Sequence, residues 1–262
     1  MTDPQLVGYR REIASVMTNP LRIIGVTCVI CTREVDAGHQ LCVKCRGHRS
    51  RFELSGNPGS PSYLTSDLVV PLTYAVQGYQ AYTDMYKYKD PVSFEAAQRR
   101  LALLAAVFVG AHHSCIDRFT GHPVTCLAVV PSLNGRVGQH PMEKFAELFP
   151  LNWHRIQLSP AHDLPSDSNQ RREPNPAFYQ CNYDLTGHHV VLIDDTWVTG
   201  GHTQGAAVRL RNAGAARVTI LVFARFLMTN YPPTLEFIRK YDIPHPPYEI
   251  TICPVTGGVC PQ

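Results

Sequence analysis

A chain of 262 residues with 44% hydrophobic and 17% charged residues has the composition of an ordinary globular protein, which excludes a largely disordered chain. Its length suits one substantial core with a small appended module. A net charge of +3 is too small to argue for a nucleic-acid partner by itself.

Met1 to Asn19 lacks a basic stretch followed by an apolar core and a small-residue cleavage site, so no secretory signal is read there. Within it, Gln5 to Met17 reads as a short helix. Nine cysteines are an odd number, and four of them fall into two CxxC pairs. Reduced thiols in a cytoplasmic compartment, four of them claimed by a metal, are therefore expected.

Cys28-x2-Cys31 and Cys42-x2-Cys45, separated by ten residues, have the spacing of a four-thiolate zinc site, because each pair can wrap one side of a tetrahedral ion. In a segment this short and loop-rich, ligation would supply much of the folding free energy, on the order of 10 kcal/mol in small zinc modules. The expected role is structural, since four thiolates leave no position for water. Two redox CxxC pairs are the competing reading, without the β-α-β context that would accompany them. Arg46, His48, Arg49 and Arg51 come next as a small basic cluster, read either as a phosphate contact or as a solvated face.

Ser55 to Ser62 is dense in turn formers and marks a boundary. The expected division is an N-terminal helix and knuckle over 1–60, a main domain over 61–235 and a tail over 236–262. In the main domain, Leu68 to Val70 and Leu72 to Ala75 look extended, with Pro71 arguing against a central strand. Ser93 is a candidate N-cap for a long apolar helix reaching Ile116. Its most apolar stretch, Leu101 to Ala111, falls short of the about 20 residues that span a bilayer, so a buried helix and no membrane partner are expected. Thr125 to Val130 reads as a buried strand, Met142 to Phe149 as a helix, and Ser159 to Asn175 as a polar, proline-rich mobile loop.

The clearest unit is β-α-β: a strand at His189 to Ile193, a helix at Thr203 to Ala213 and a strand at Val218 to Ala224. Two near-continuous apolar strands joined by a helix imply a parallel sheet covered on both faces, with ligands at the strands' carboxyl ends. After Ile193 the chain reads Asp194-Asp-Thr-Trp-Val-Thr-Gly-Gly-His-Thr203. A Thr-Gly-Gly turn opening a helix presents backbone N–H groups and the positive end of the helix dipole, a cradle for phosphate. Adjacent carboxylates can accept hydrogen bonds from vicinal hydroxyls such as those of ribose. The alternative is a solvated strand end whose glycines only permit a tight turn.

This strand, acidic pair and Thr-Gly-rich loop resemble the fingerprint of the type I phosphoribosyltransferases. The resemblance implies an α/β fold with a parallel sheet and flanking helices, binding phosphoribosyl pyrophosphate with Mg²⁺. It implies that Thr196, Thr199, Gly200, Gly201, His202 and Thr203 bind substrate, although His202 stands where the family has Thr or Ser, with Thr203 one place late.

A zinc knuckle ahead of such a domain resembles the ComF family, named for a bacterial competence protein involved in DNA uptake. Tyr86-Lys87-Tyr88-Lys89 looks like that family's Lys-aromatic-basic motif, Val129-Val130-Pro131 like its strand before the pyrophosphate-side loop, and Arg172-x2-Asn175-x-Ala177-Phe178 like its Arg-Asn-Ala-Phe segment. Ser132 to Gln139 departs from it, keeping only Arg136 of several arginines.

By this resemblance Asp194 and Asp195 hold the ribose hydroxyls and favour positive charge at the anomeric carbon. Lys87 and Arg136 are candidates to neutralise the pyrophosphate, and a nitrogen nucleophile accepts the ribosyl group. A non-catalytic adaptor that senses a phosphoribosyl ligand or contacts DNA is the reading from a different class, and homo-oligomer formation is left open. Trp197 is expected to pack beneath its loop. The histidine pairs 112–113 and 188–189 are read as structural. Cys253 and Cys260 could form half of a second metal site, but two thiols alone are insufficient, and a tail docking on the domain is the expectation.

Overall fold

The computed structural model describes residues 11–53, 64–90, 95–134, 140–164 and 172–262. The boundary stretch Ser55 to Ser62, the N-cap candidate Ser93 and the pyrophosphate candidate Arg136 lie outside them, as do residues 5–10 of the first helix candidate. Residues 11–14 are helical.

Five strands form one parallel sheet in the order β1-β7-β6-β2-β3: β1 is Leu68–Val76, β2 Cys126–Val129, β3 His154–Arg155, β6 His189–Trp197 and β7 Arg217–Leu227. Between β3 and β6, β4 (Ser159–Pro160) pairs antiparallel with β5 (Tyr179–Gln180), so part of the proline-rich stretch is ordered into a small ribbon. The nine residues of β1 are all buried, Pro71 included. Proline is tolerated because β1 is at the sheet's edge, where a missing N–H breaks no ladder. That edge is covered by the N-terminal segment: Tyr74 N–H donates to Thr18 O at 2.9 Å, and Thr18 N–H to Thr73 Oγ1 at 2.8 Å.

Side chains alternate across a strand, and here the alternation sorts them into two cores. Leu68, Val70 and Leu72 of β1, Val191 and Ile193 of β6 and Leu221 and Phe223 of β7 face one side. There they meet α2 (Gln80–Lys87), α3 (Glu95–Ala111), α4 (His113–Thr120) and α5 (Pro141–Ala146) through residues such as Met85, Leu101, Ile116 and Met142. Val69, Val190, Leu192, Ile220 and Val222 face the other, against Ala206, Ala207 and Leu210 of α6 (Gly201–Asn212) and all four knuckle cysteines. Each fully buried aliphatic or aromatic side chain adds about 1.5–3 kcal/mol of transfer free energy.

The expected long helix is two helices, broken at His112, whose φ of −134° and ψ of −3° are not helical. The 235/236 boundary falls inside α7 (Pro232–Lys240), which closes a third cluster with Tyr74 and Leu227. Among the described residues no helix is long and apolar enough to cross a membrane.

Candidate functional site

β6 does not stop at Ile193. Asp194, Thr196 and Trp197 pair with Val222, Ala224 and Arg225 of β7, so the acidic pair lies within the last residues of the strand rather than beyond it. Period-two geometry then sends the two carboxylates to opposite faces of the sheet.

On the α6 face, Asp194 Oδ2 accepts from Thr203 Oγ1 at 2.5 Å and its Oδ1 from the Asp195 amide at 2.8 Å. On the α2 face, Asp195 Oδ2 accepts from Tyr88 OH at 2.7 Å and its Oδ1 from Thr196 Oγ1 at 2.9 Å. Lys89 Nζ forms an ion pair with Asp195 Oδ2. Lys89 is a cation that sequence reasoning misses in favour of Lys87. Lys87 ends α2 with its side chain exposed, and Tyr88, buried to 1% exposure, carries the chain inward so that Lys89 reaches the acid pair.

These environments drive the two carboxyls apart. Burial, with the negative charge of Asp195 beside it, pushes Asp194 up to about 7 against the opposing hydrogen bond from Thr203. Burial pushes Asp195 upward too, but Lys89, Tyr88 and Thr196 outweigh it and hold this carboxyl below the usual range. The site thus carries one firm negative charge and one that titrates near neutrality.

Beyond the strand, Thr199 and Gly200 lead into α6. Gly200 is the N-cap, with φ of +80° and no side chain to bond the helix amides. In its place Thr199 Oγ1 accepts from the Gly201 N–H at 3.5 Å, a single long side-chain contact at the positive end of the helix dipole. Packing demands both glycines: a Cβ on Gly200 would lie 2.1 Å from the Trp197 ring, and one on Gly201 would lie 1.7 Å from the Arg172 carbonyl oxygen. Trp197 is buried beneath the loop, as expected of a large aromatic there. Thr199 Oγ1 donates to Arg172 O at 3.4 Å, and His202 O accepts from Tyr179 OH at 2.9 Å. Arg172 to Asn175 therefore forms one wall of the turn.

The knuckle sulfurs of Cys28, Cys31, Cys42 and Cys45 all lie within 4.8 Å of one another, buried. Cys31 and Cys42 are 3.7 Å apart, close to the about 3.8 Å edge expected of four thiolates around zinc at about 2.3 Å. Thr32, at φ +59°, turns the chain out of the first pair. Cys42 caps α1 (Val43–Arg51), accepting from Cys45 N–H at 3.5 Å. The donor set, its burial and its spacing fit a tetrahedral, thiophilic divalent ion.

A buried arginine outside every motif joins knuckle to loop. Arg225, 3% exposed, donates to Cys31 O at 3.0 Å, to Trp197 O at 2.6 Å and to Val198 O at 2.9 Å. The basic cluster after the knuckle is not one surface, because His48 is 3% exposed and faces inward; Arg46 and Arg51 are exposed.

No protein-family model and no curated protein matches the sequence. Among solved structures, adenine phosphoribosyltransferase from Saccharomyces cerevisiae, complexed with an imino-altritol bisphosphate and adenine, is 16% identical over 52% of this chain and 73% of its own, with a TM-score of 0.30. A hypoxanthine phosphoribosyltransferase from Staphylococcus aureus is 10% identical over 47% of this chain and 73% of its own, at 0.29. The orotate phosphoribosyltransferase of Mycobacterium tuberculosis H37Rv is 15% identical over 50% and 73%, at 0.26.

Proposed function

We propose that the carboxyl end of β6 and the start of α6 bind a ribose phosphate, of which phosphoribosyl pyrophosphate is the first candidate. One observation carries this reading: two carboxylates straddle the end of a central parallel strand, a short loop before a helix N-terminus whose N-cap is a glycine. The helix end favours a phosphate dianion, and the carboxylates accept from a vicinal diol. Asp194 and Asp195 each keep unused lone pairs, since a carboxylate offers about four acceptor sites.

In this reading Thr199, Gly200, Gly201, His202 and Thr203 line the 5-phosphate side, and Thr196 steadies Asp195. Lys89, already at the acid pair, is the cation nearest to an arriving pyrophosphate, with Lys87 and Arg136 as further candidates. Mg²⁺ would enter on the pyrophosphate and offset its charge. In the transfer reaction the bond from the anomeric carbon to pyrophosphate breaks, a nitrogen lone pair forms the new bond, and that nitrogen loses a proton. Asp194 and Asp195 then lie where positive charge develops on the ribosyl ring. Zn²⁺ on Cys28, Cys31, Cys42 and Cys45 would act structurally, its four sites filled by protein.

Pyrophosphate release from phosphoribosyl pyrophosphate and Mg²⁺, measured across a panel of nucleobases and amines, tests the transferase reading. Release stimulated by one acceptor and abolished by Asp194→Asn with Asp195→Asn is expected. Release from no member, with ligand-induced thermal stabilisation retained, assigns the site to sensing instead.

A further inference from the structure

A second cluster of metal-ligating groups lies where the C-terminal tail meets the junction of α3 and α4. His112, Cys115, Cys253 and Cys260 bring one nitrogen and three sulfurs within 4.8 Å of one another. The first two, spaced as His-x2-Cys, come from the break between the helices and the first turn of α4. The other two come from a tail turn closed by Gly257 N–H to Cys253 O at 2.7 Å and Cys253 N–H to Gly258 O at 2.8 Å. Cys253, Cys115 and His112 are 0%, 1% and 3% exposed, and Cys260 is half-buried. In the sequence alone His112 reads as structural and the tail thiols as too few. His112 and the tail residue Ile250, 138 residues apart, meet only through the fold.

The imidazole is held in a ligating pose. Its Nε2 lies 2.8 Å from the Ile250 carbonyl oxygen, which can only accept, so Nε2 carries the proton and Nδ1 presents its lone pair to the sulfurs. Metal-bound histidines are oriented in this way, the second ring N–H donating to a carbonyl. Nδ1 is 3.4 Å from Cys260 Sγ. In a tetrahedral site with Zn–S of about 2.3 Å and Zn–N of about 2.0–2.1 Å, that edge is about 3.6 Å.

We propose that His112, Cys115, Cys253 and Cys260 form a second zinc site, of three thiolates and one imidazole, that fastens the C-terminal tail to the α3–α4 junction. Three thiol protons leave to solvent as the ion binds, and four protein ligands leave no position for substrate or water, so the role is structural. The site shares no ligand with the knuckle and lies on the opposite face of the sheet. It explains why α3 breaks at His112, and why a tail whose apolar anchors are Tyr248, Cys253 and Val255 stays in that core.

The test is the zinc content of the full chain, purified under reducing conditions with zinc in the medium and measured by inductively coupled plasma mass spectrometry. Two equivalents are expected in the wild type. Cys260→Ala loses one, and Cys260→His, which restores a ligand, retains both. Cys28→Ser with Cys42→Ser also loses one, so the two losses are independent. If that double variant does not fold, the Cys260 pair decides alone, because this residue is only half-buried. Zinc content unchanged by Cys260→Ala and by Cys115→Ser overturns the proposal.

Discussion

Asp194 and Asp195 are neighbours in sequence, yet Asp194 bonds Thr203 on the α6 face of the sheet while Asp195 bonds Tyr88 on the α2 face. A ligand touching both must therefore sit on the open edge at the strand's end, between the two layers of helices. On the proposed reading, the helix start, the loop and Lys89 serve that one ligand.

The pH dependence of stability is set in part by Asp194. Its folded carboxyl titrates near 7, above the ordinary carboxylate range, so between about pH 4 and 7 the unfolded chain ionises while the folded one resists. The stability attached to this group is fully present below the unfolded value and is lost as pH rises through 7. Asp194→Asn removes the titration. The difference in melting temperature between variant and wild type should rise in the variant's favour from pH 4 to pH 7 and level off above. A difference that is flat across that window contradicts the assignment.

Lys89 and Lys87 separate sharply in their expected effects. Lys89→Met leaves Asp195, 7% exposed, without its cation and should cost about 1–3 kcal/mol, between the values for surface and buried pairs. Lys87→Met, at an exposed position, should stay within about 0.5 kcal/mol. Urea unfolding of the two variants gives the comparison, and equal losses would remove Lys89 from its role.

Gly201→Ala drives a methyl into the Arg172 carbonyl, a backbone atom that cannot rotate away. We expect a loss of about 3 kcal/mol in chemical denaturation, together with displacement of the 172–175 wall. Gly110→Ala is the control. Nothing lies within 4 Å of its added carbon, and a helical glycine replaced by alanine gains up to about 1 kcal/mol.

Arg225→Met strips the donors from the carbonyls of Cys31, Trp197 and Val198 inside the core. A loss of about 3 kcal/mol or more in urea unfolding is expected, because several buried acceptors are orphaned at once. Hydrogen exchange should quicken both in the knuckle and in the 197–199 loop. Quickening confined to one of them would deny the bridge.

Sequence periodicity locates β6, α6 and β7 because buried parallel strands are continuous apolar runs, and the knuckle is legible because CxxC spacing encodes half a tetrahedron. Both signals are local. The features that escape depend on distant chain: the continuation of β6 through Asp195 is set by pairing with β7, and the break at His112 coincides with the hydrogen bond from its ring to Ile250. Pro71 correctly excludes a central strand but not the buried edge strand around it. His48 looks like one of four surface cations, whereas its burial comes from the packing of α1.

Isothermal titration of the full chain with phosphoribosyl pyrophosphate and Mg²⁺, at pH 8 where Asp194 is ionised, bears most directly on the site. One ligand per chain is expected, with binding weakened at pH 6 and lost in Asp194→Asn with Asp195→Asn. Absence of binding heat at several temperatures, or binding that the double variant leaves unchanged, contradicts the account.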